Sequence, residues 1–175
     1  MVGLEFFAAA VARTLGLHTA EVEEQCVGLL RRGHFLRESG LDTWPDGTAA
    51  TRFQFQHSLY RDVLYQRITA GQRVRWHQQI GELLEQSYGS HASELASTLA
   101  VHFERGQDTL RAVHYRQQAG NNALRQRGYH EAAEHLMRGL ALLMTLPETL
   151  ERVQQELSLQ MTLGVALMAT KGFTV

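Results

Sequence analysis

His57 is the residue whose type and position are best suited to chemistry in this chain. It follows an alternating stretch, in which glutamines alternate with Phe53 and Phe55. It precedes a run that puts Leu59, Val63 and Leu64 on one helical face. The pattern predicts a strand that ends at the histidine and turns directly into a helix. Because backbone amides and the helix dipole favour an anion at such a terminus, His57 is a candidate phosphate contact.

Two roles remain open at this position. In the first, His57 donates to a phosphate, and Arg61, one turn further along the helix, is a weaker companion. In the second, the histidine only caps the helix or packs at the end of the strand.

No other group of reactive residues has the spacing of a catalytic or metal centre. The nine histidines include His130 and His135, but no His-x-x-x-His and no Cys pair is present. The carboxylates are scattered along predicted helices, as on a solvated face. The sequence contains no Gly-x-x-x-x-Gly-Lys-Ser/Thr motif, so we expect no ATP hydrolysis, catalytic residue, metal or cofactor in this chain alone.

Composition narrows the classes of partner. The 17 basic and 18 acidic residues leave a net charge of −1, which argues against electrostatic capture of nucleic acid or an anionic membrane. The single Cys26 excludes an internal disulfide and fits a reducing compartment. No apolar run is long enough to cross a bilayer, and no signal peptide is visible. We therefore expect a cytoplasmic protein with no membrane partner.

The first part of the chain predicts two helices followed by a two-stranded hairpin. The second helix has Val22, Cys26, Leu29 and Leu30 as its buried stripe, and a turn-rich loop joins the two strands. The predicted helices cover residues 4–15 and 19–32, the strands 34–38 and 52–56, and the loop 39–50. This is the outline of a winged helix, with Trp44 to Gly47 at the tip of the wing.

The rest of the chain predicts helices, including residues 72–88 and 92–103, and an internal repeat. The separation between Gly120 and Gly128 is the same as that between Gly164 and Gly172. In each pair the second glycine directly precedes an aromatic residue. The spacing of Gly120, Ala132, Leu136 and Gly139 is that of a degenerate tetratricopeptide (TPR) pair. The second unit stops after its turn, which would leave Met161, Leu163 and Leu167 uncovered, so we expect a piece of a longer protein.

The predicted fold class is therefore mainly α. A small winged-helix domain of helices and a β-hairpin precedes an α-helical TPR-like repeat array. The predicted segments are a winged helix over residues 1–69, a helical linker over 70–107 and TPR-like repeats over 108–175, the last of them truncated.

The strand-to-helix junction resembles the winged-helix segment of the STAND class of signalling ATPases. In relatives of that class the matching junction carries a Met-His-Asp motif, whose histidine reaches the phosphates of a bound nucleotide. Here the corresponding residues are Gln56, His57 and Ser58. The stretch from His102 to Asp108, with Ala119-Gly120 further on, is also similar to the linker that leads from the winged helix into the TPR-like tail of bacterial members.

The resemblance implies a regulatory fragment of a signal-transduction ATPase. Its winged helix would clamp an upstream nucleotide-binding domain that holds ATP or ADP, and its repeats would bind a protein or small-molecule effector. The alternatives are a stand-alone TPR-like adaptor for protein interactions and a winged-helix DNA-binding regulator. DNA binding is less favoured, because Glu21, Glu23 and Glu24 make the start of the candidate recognition helix acidic.

Overall fold

The chain is mainly helical, with one small antiparallel sheet. A computed structural model describes residues 5–33, 35–44, 47 and 49–171. They belong to two compact units, unit 1 (Met1–Tyr88) and unit 2 (Gly89–Val175). In chain order the elements are β1 (Glu5–Phe7), α1 (Ala8–Leu15), α2 (Thr19–Gly33), β2 (Leu36–Thr43), β3 (Ala49–Phe55), α3 (Ser58–Arg67), α4 (Ala70–Tyr88), a 3-10 helix (Gly89–Leu95), α5 (Ala96–Arg105), α6 (Thr109–Arg125), α7 (Tyr129–Leu143) and α8 (Leu150–Lys171).

The first segment of the chain differs from the helix expected over residues 4–15. Leu4 lies outside the described residues, Glu5–Phe7 form β1, and α1 begins only at Ala8. β1 pairs with β3 and sets Phe6 opposite the buried Phe53, with ring centroids 6.0 Å apart. This cross-strand aromatic pairing outweighs the helical spacing of the segment. The sheet therefore has three strands, in the order β1–β3–β2, and is not the two-stranded hairpin that was expected.

Most of the loop expected over residues 39–50 is strand. β2 continues to Thr43 through an irregularity between Glu38 and Gly40, where Gly40 has a φ of 111°. A bulge of this kind absorbs an extra residue and lets the ladder continue, so the glycine that indicates a turn in the sequence forms a bulge here.

Trp44 is not at an exposed wing tip. Its side chain is only 3% exposed and packs edge-on against Phe7, with ring centroids 5.2 Å apart, and against Tyr88 at 6.3 Å. Burial of this large ring ties the end of β2 to β1 and α4. Pro45 and Asp46, the other residues of the predicted tip, lie outside the described residues.

The core of unit 1 lies between the sheet and the first two helices. Gly16 ends α1 in the left-handed conformation, as its position predicts. In α2, Val22 and Cys26 are buried as expected, whereas Leu29 is 46% exposed. The buried residues of this core are Ala8, Ala12, Val22, Cys26, Leu36 and Phe53.

Unit 2 is built from the 3-10 helix and α5 to α8. The helix expected over residues 92–103 begins only at Ala96, after the 3-10 turn. Asp108 caps α6, since its carboxylate accepts a hydrogen bond from the Arg111 backbone N–H at 3.0 Å. The core between α6, α7 and α8 includes Val113, Ala123, Ala132, Ala133, Leu136, Leu143, Leu159 and Ala166.

An ion-pair network joins three helices of unit 2. The Glu104 carboxylate on α5 accepts from Arg116 Nη2 on α6 at 2.8 Å and from Arg138 Nε on α7 at 2.9 Å. Arg116 also donates through Nη1 to His135 Nδ1 at 3.1 Å. Burial by itself would raise the pKa of Glu104, but the hydrogen bonds from Arg138 and Arg116 outweigh it and lower that pKa. Glu104 is therefore held as a carboxylate between the two guanidinium groups.

Candidate functional site

His57 lies where the sequence predicts it, between β3 and α3. It is the N-cap residue of α3, with extended backbone (φ −132°, ψ 139°), but its side chain makes no capping hydrogen bond. The exposed imidazole packs edge-on against Tyr60, with ring centroids 5.7 Å apart, and forms no hydrogen bond within the part of the chain that the structure describes. Side-chain capping is thus ruled out as its role, and packing against a neighbouring ring is present.

The sheet and one aromatic contact hold His57 in place. Just before it, the Gln56 N–H donates to the Phe35 carbonyl oxygen at 3.0 Å, and the Gln56 side-chain amide reaches the Leu36 carbonyl at 3.4 Å. Just after it, Tyr60 packs against Phe35 with ring centroids 5.0 Å apart. The residue before His57 and the first turn of α3 are therefore both held against Phe35, which directly precedes β2.

Arg61 is one turn along α3 but is already paired. Its Nη2 and Nε atoms donate to Asp62 Oδ1 at 2.7 and 2.9 Å. Both side chains are partly exposed, so the ion pair is weak and can be exchanged for another anion. Asp62 was not among the predicted site residues, although its position next to Arg61 in the sequence indicates an ion pair.

α3 presents an apolar surface beside His57. None of its residues is buried. Leu59 is 66% exposed and Val63 43% exposed, and the i,i+4 spacing of these two puts them on one face. The amphipathic pattern predicted for α3 is therefore present, but its apolar face is not covered within unit 1.

The histidines do not assemble a metal centre. Among residues 5–33, 35–44, 47 and 49–171, no three His, Cys, Asp or Glu side chains are placed to hold a metal ion. His130 is exposed, and its Nε2 lies 3.3 Å from Glu134 Oε1. His135 instead accepts a hydrogen bond from Arg116. The two residues take part in separate contacts.

α8 carries a second uncovered apolar surface, in unit 2. Leu159, Leu163 and Ala166 pack toward the core shared with α7, so Leu163 is not on the uncovered face where it was expected. On the opposite side of the helix, at spacings of three and four, lies an exposed row that we call the α8 stripe. Its members are Leu150, Val153, Leu157, Met161, Val165 and Met168.

The two glycines of the internal repeat have different surroundings. A Cβ built on Gly120 would lie 2.7 Å from Leu136 Cγ, whereas one built on Gly164 would meet nothing within 4 Å. Gly120 is covered by α7, and the equivalent position in α8 is open. Gly172, the last glycine of the repeat, lies outside the described residues.

Comparison with known proteins identifies no relative. No protein-family model matches the chain, and no curated protein or solved structure gives a significant match. Among the described residues, no helix is both long enough and apolar enough to span a bilayer.

Proposed function

We propose that this chain is the regulatory part of a STAND-type signal-transduction ATPase. Unit 1 acts as a winged helix that clamps an upstream nucleotide-binding domain in one nucleotide state, ATP or ADP. Unit 2 acts as a TPR-like platform for a protein or small-molecule effector, which biases the clamp by preferring one of its states. A cytoplasmic location fits this role.

The observation that carries the proposal is the surface of α3. His57 has an exposed imidazole at the start of the helix, and Leu59 and Val63 leave an apolar face beside it. An apolar surface with a polar group at its edge fits a contact with another module. In that contact the α3 amides and His57 would meet a phosphate, while the apolar face would pack on the protein around it.

The α8 stripe supports the role of unit 2. Leu157 is 59% exposed and Met161 67% exposed, one turn apart on the side opposite the core. Helices in repeat arrays bury two faces, one on each neighbour, so a helix with an apolar row on its open side is suited to a further helix or an effector.

The chain's part in this switch is to clamp the nucleotide-binding domain and to sense the nucleotide that the domain holds, since the sequence given has no P-loop of its own. A DNA-binding role is less well supported. Glu23 of α2, the candidate recognition helix, accepts a hydrogen bond from the Thr51 N–H at 3.1 Å, so this acidic group serves the contact with the sheet.

The experiment that tests the proposal measures ADP release from the full natural gene product. We expect His57→Ala to release bound ADP about tenfold faster, the effect of losing one hydrogen bond to a charged group. His18→Ala is the matched control, because His18 is an exposed histidine of the same unit, away from α3. Equal ADP release from the two variants and the wild type would contradict the sensor role.

A second candidate function, a TPR-like interaction adaptor without a nucleotide switch, is favoured by the α8 stripe alone. It predicts that Met161→Glu abolishes partner binding while the natural gene product contains no nucleotide. The switch predicts that the same substitution changes the ADP release rate when effector is present. The two functions are therefore distinguished by whether a substitution on α8 changes the rate of ADP release.

A further inference from the structure

Unit 1 contains a groove of about 570 Å³ that neither site above uses. All its lining residues belong to unit 1 and come from the sheet, from α1 to α4 and from the connections at Leu17 and Ile68. Its floor includes the buried side chains of Val22, Cys26 and Leu36. Leu15 and Leu29 form part of its rim and are each about half exposed. The volume lies within the range of about 300–1,000 Å³ that is common for small-molecule pockets.

The lining is mainly apolar, with Thr14, Glu21 and Gln25 on the side of α1 and α2, and three polar side chains from α3 and α4 contact one another. Tyr65 and His77 share a hydrogen bond, with 3.0 Å between the phenol oxygen and Nε2. The Arg73 guanidinium lies over the Tyr65 ring, 5.1 Å from its centroid. All three residues line the groove. The basic group is thus held next to an apolar cavity by a ring that also forms part of the cavity wall.

Arg73 has no acidic partner. Within the described part of the chain its guanidinium forms no ion pair, and Glu21, the acidic residue that also lines the groove, does not reach it. A half-buried guanidinium beside an apolar cavity, with five N–H donors and no carboxylate, is complementary to an oxyanion.

We propose that this groove binds an amphiphilic small molecule with an apolar body and a single acid group. The apolar body lies over Val22, Cys26 and Leu29, and the acid group accepts hydrogen bonds from Arg73. The single guanidinium held by the Tyr65 ring favours such a ligand over an amphipathic helix, which would need only the apolar rim. The proposal does not rest on the nucleotide switch, because Arg73 and the apolar lining bind the ligand without His57, Leu59 or Val63. Leu64, the third residue of the α3 face, lines the groove.

The test uses two fluorescent probes that differ mainly in charge. Anilinonaphthalene sulfonate has an apolar body and one anionic group, and N-phenyl naphthylamine is its neutral counterpart. We expect Arg73→Gln to weaken sulfonate binding about tenfold, as loss of one charge-assisted contact would, and to leave the neutral probe unchanged. Arg75→Gln, an exposed arginine of the same helix that does not line the groove, is the control and should change neither affinity.

A second pair of variants locates the bound probe. Ala10→Phe places a ring in the groove and should abolish binding of both probes. Trp76 lines the groove and Trp44, the other tryptophan of the chain, does not, so Trp76→Phe should strongly reduce energy transfer from tryptophan to the bound sulfonate. Circular dichroism of each variant checks that the helices remain folded.

Three results would overturn the proposal. One is the absence of saturable sulfonate binding to the wild-type chain. Another is an equal loss of sulfonate affinity in Arg73→Gln and Arg75→Gln. The third is an equal loss of affinity for the charged and neutral probes in Arg73→Gln, which would mean that the groove is an apolar seat for a helix and not an acid-binding site.

Discussion

Gly120 on α6 and Leu136 on α7 approach so closely that no side chain fits between them. A Cβ at Gly120 would lie 2.7 Å from Leu136 Cγ and 2.9 Å from its Cδ2. Both residues are buried, and Ala132 one turn before Leu136 is buried with them. The absence of a side chain at Gly120 therefore sets the distance between the two helices of the first repeat.

The repeat glycines should respond to substitution in opposite directions. Gly120→Ala must displace Leu136 in a packed core, so we expect the free energy of unfolding to fall by about 1–3 kcal/mol. The methyl group added by Gly164→Ala meets open space. The better helix propensity of alanine should therefore raise the free energy of unfolding by about 0.5–1 kcal/mol. Urea denaturation followed by circular dichroism measures both. If both substitutions stabilised the chain, the contact with Leu136 would not limit the packing.

Removal of the Glu104 charge should weaken the packing of α5 on α6 and α7. Glu104→Gln leaves Arg116, which is mostly buried, without its carboxylate, and we expect a loss of about 1–3 kcal/mol. The control is Glu94→Gln, since the Glu94–His91 pair is exposed and should contribute less than about 0.5 kcal/mol. Thermal melts of the two variants would contradict this account if their midpoints fell equally.

Stability should fall as the pH drops below the ordinary histidine pKa, partly through His135. Burial, with the Arg116 guanidinium next to it, lowers the pKa of His135 below 6.5. In the window below 6.5 the unfolded chain therefore binds a proton that the folded chain does not, so stability rises with pH there. Protonation also turns Nδ1 from an acceptor of the Arg116 hydrogen bond into a donor.

The measurement is the melting temperature between about pH 5.5 and 7.5, the range in which histidine titrates. His135→Gln should flatten the pH dependence, because its side-chain oxygen accepts from Arg116 at every pH. His130→Gln, at an exposed position on the same helix, should keep the slope of the wild type. The same slope in all three proteins would show that His135 does not contribute.

The thiol of Cys26 should react slowly in the folded chain. Burial, with the Glu23 carboxylate nearby, raises the pKa of Cys26 from 9.0 to about 11. Because only the thiolate reacts, we expect alkylation at about pH 8 to be roughly a hundredfold slower than in the chain unfolded in urea. Equal rates in the two states would mean that the floor of the groove in unit 1 is open to solvent.

The position of His57 between a strand and a helix depends on residues close by in the sequence, and the structure confirms it. The predicted starts of α1 and α5 were wrong, because pairing with β3 and the 3-10 turn decide them. β1 and the bulge at Gly40 were missed, because both depend on pairing with β3 over long sequence separations.

The sequence predicted part of the candidate site but nothing of the groove. The position of His57 could be predicted from the alternation of phenylalanines before it and the helical spacing after it. The exposure of Leu59 and Val63 could not, because an amphipathic pattern does not say whether anything covers the apolar face. Arg73 and His77 look like ordinary residues of a solvated helix in the sequence, and only the fold brings them to Tyr65.

We propose that this chain regulates a nucleotide-dependent switch. The most direct measurement is the nucleotide content of the full natural gene product, purified without added nucleotide, denatured in acid and analysed by chromatography. The account predicts close to one ADP or ATP per chain. A gene product that carries no nucleotide and binds none when it is added would contradict the switch and leave the repeat adaptor as the function.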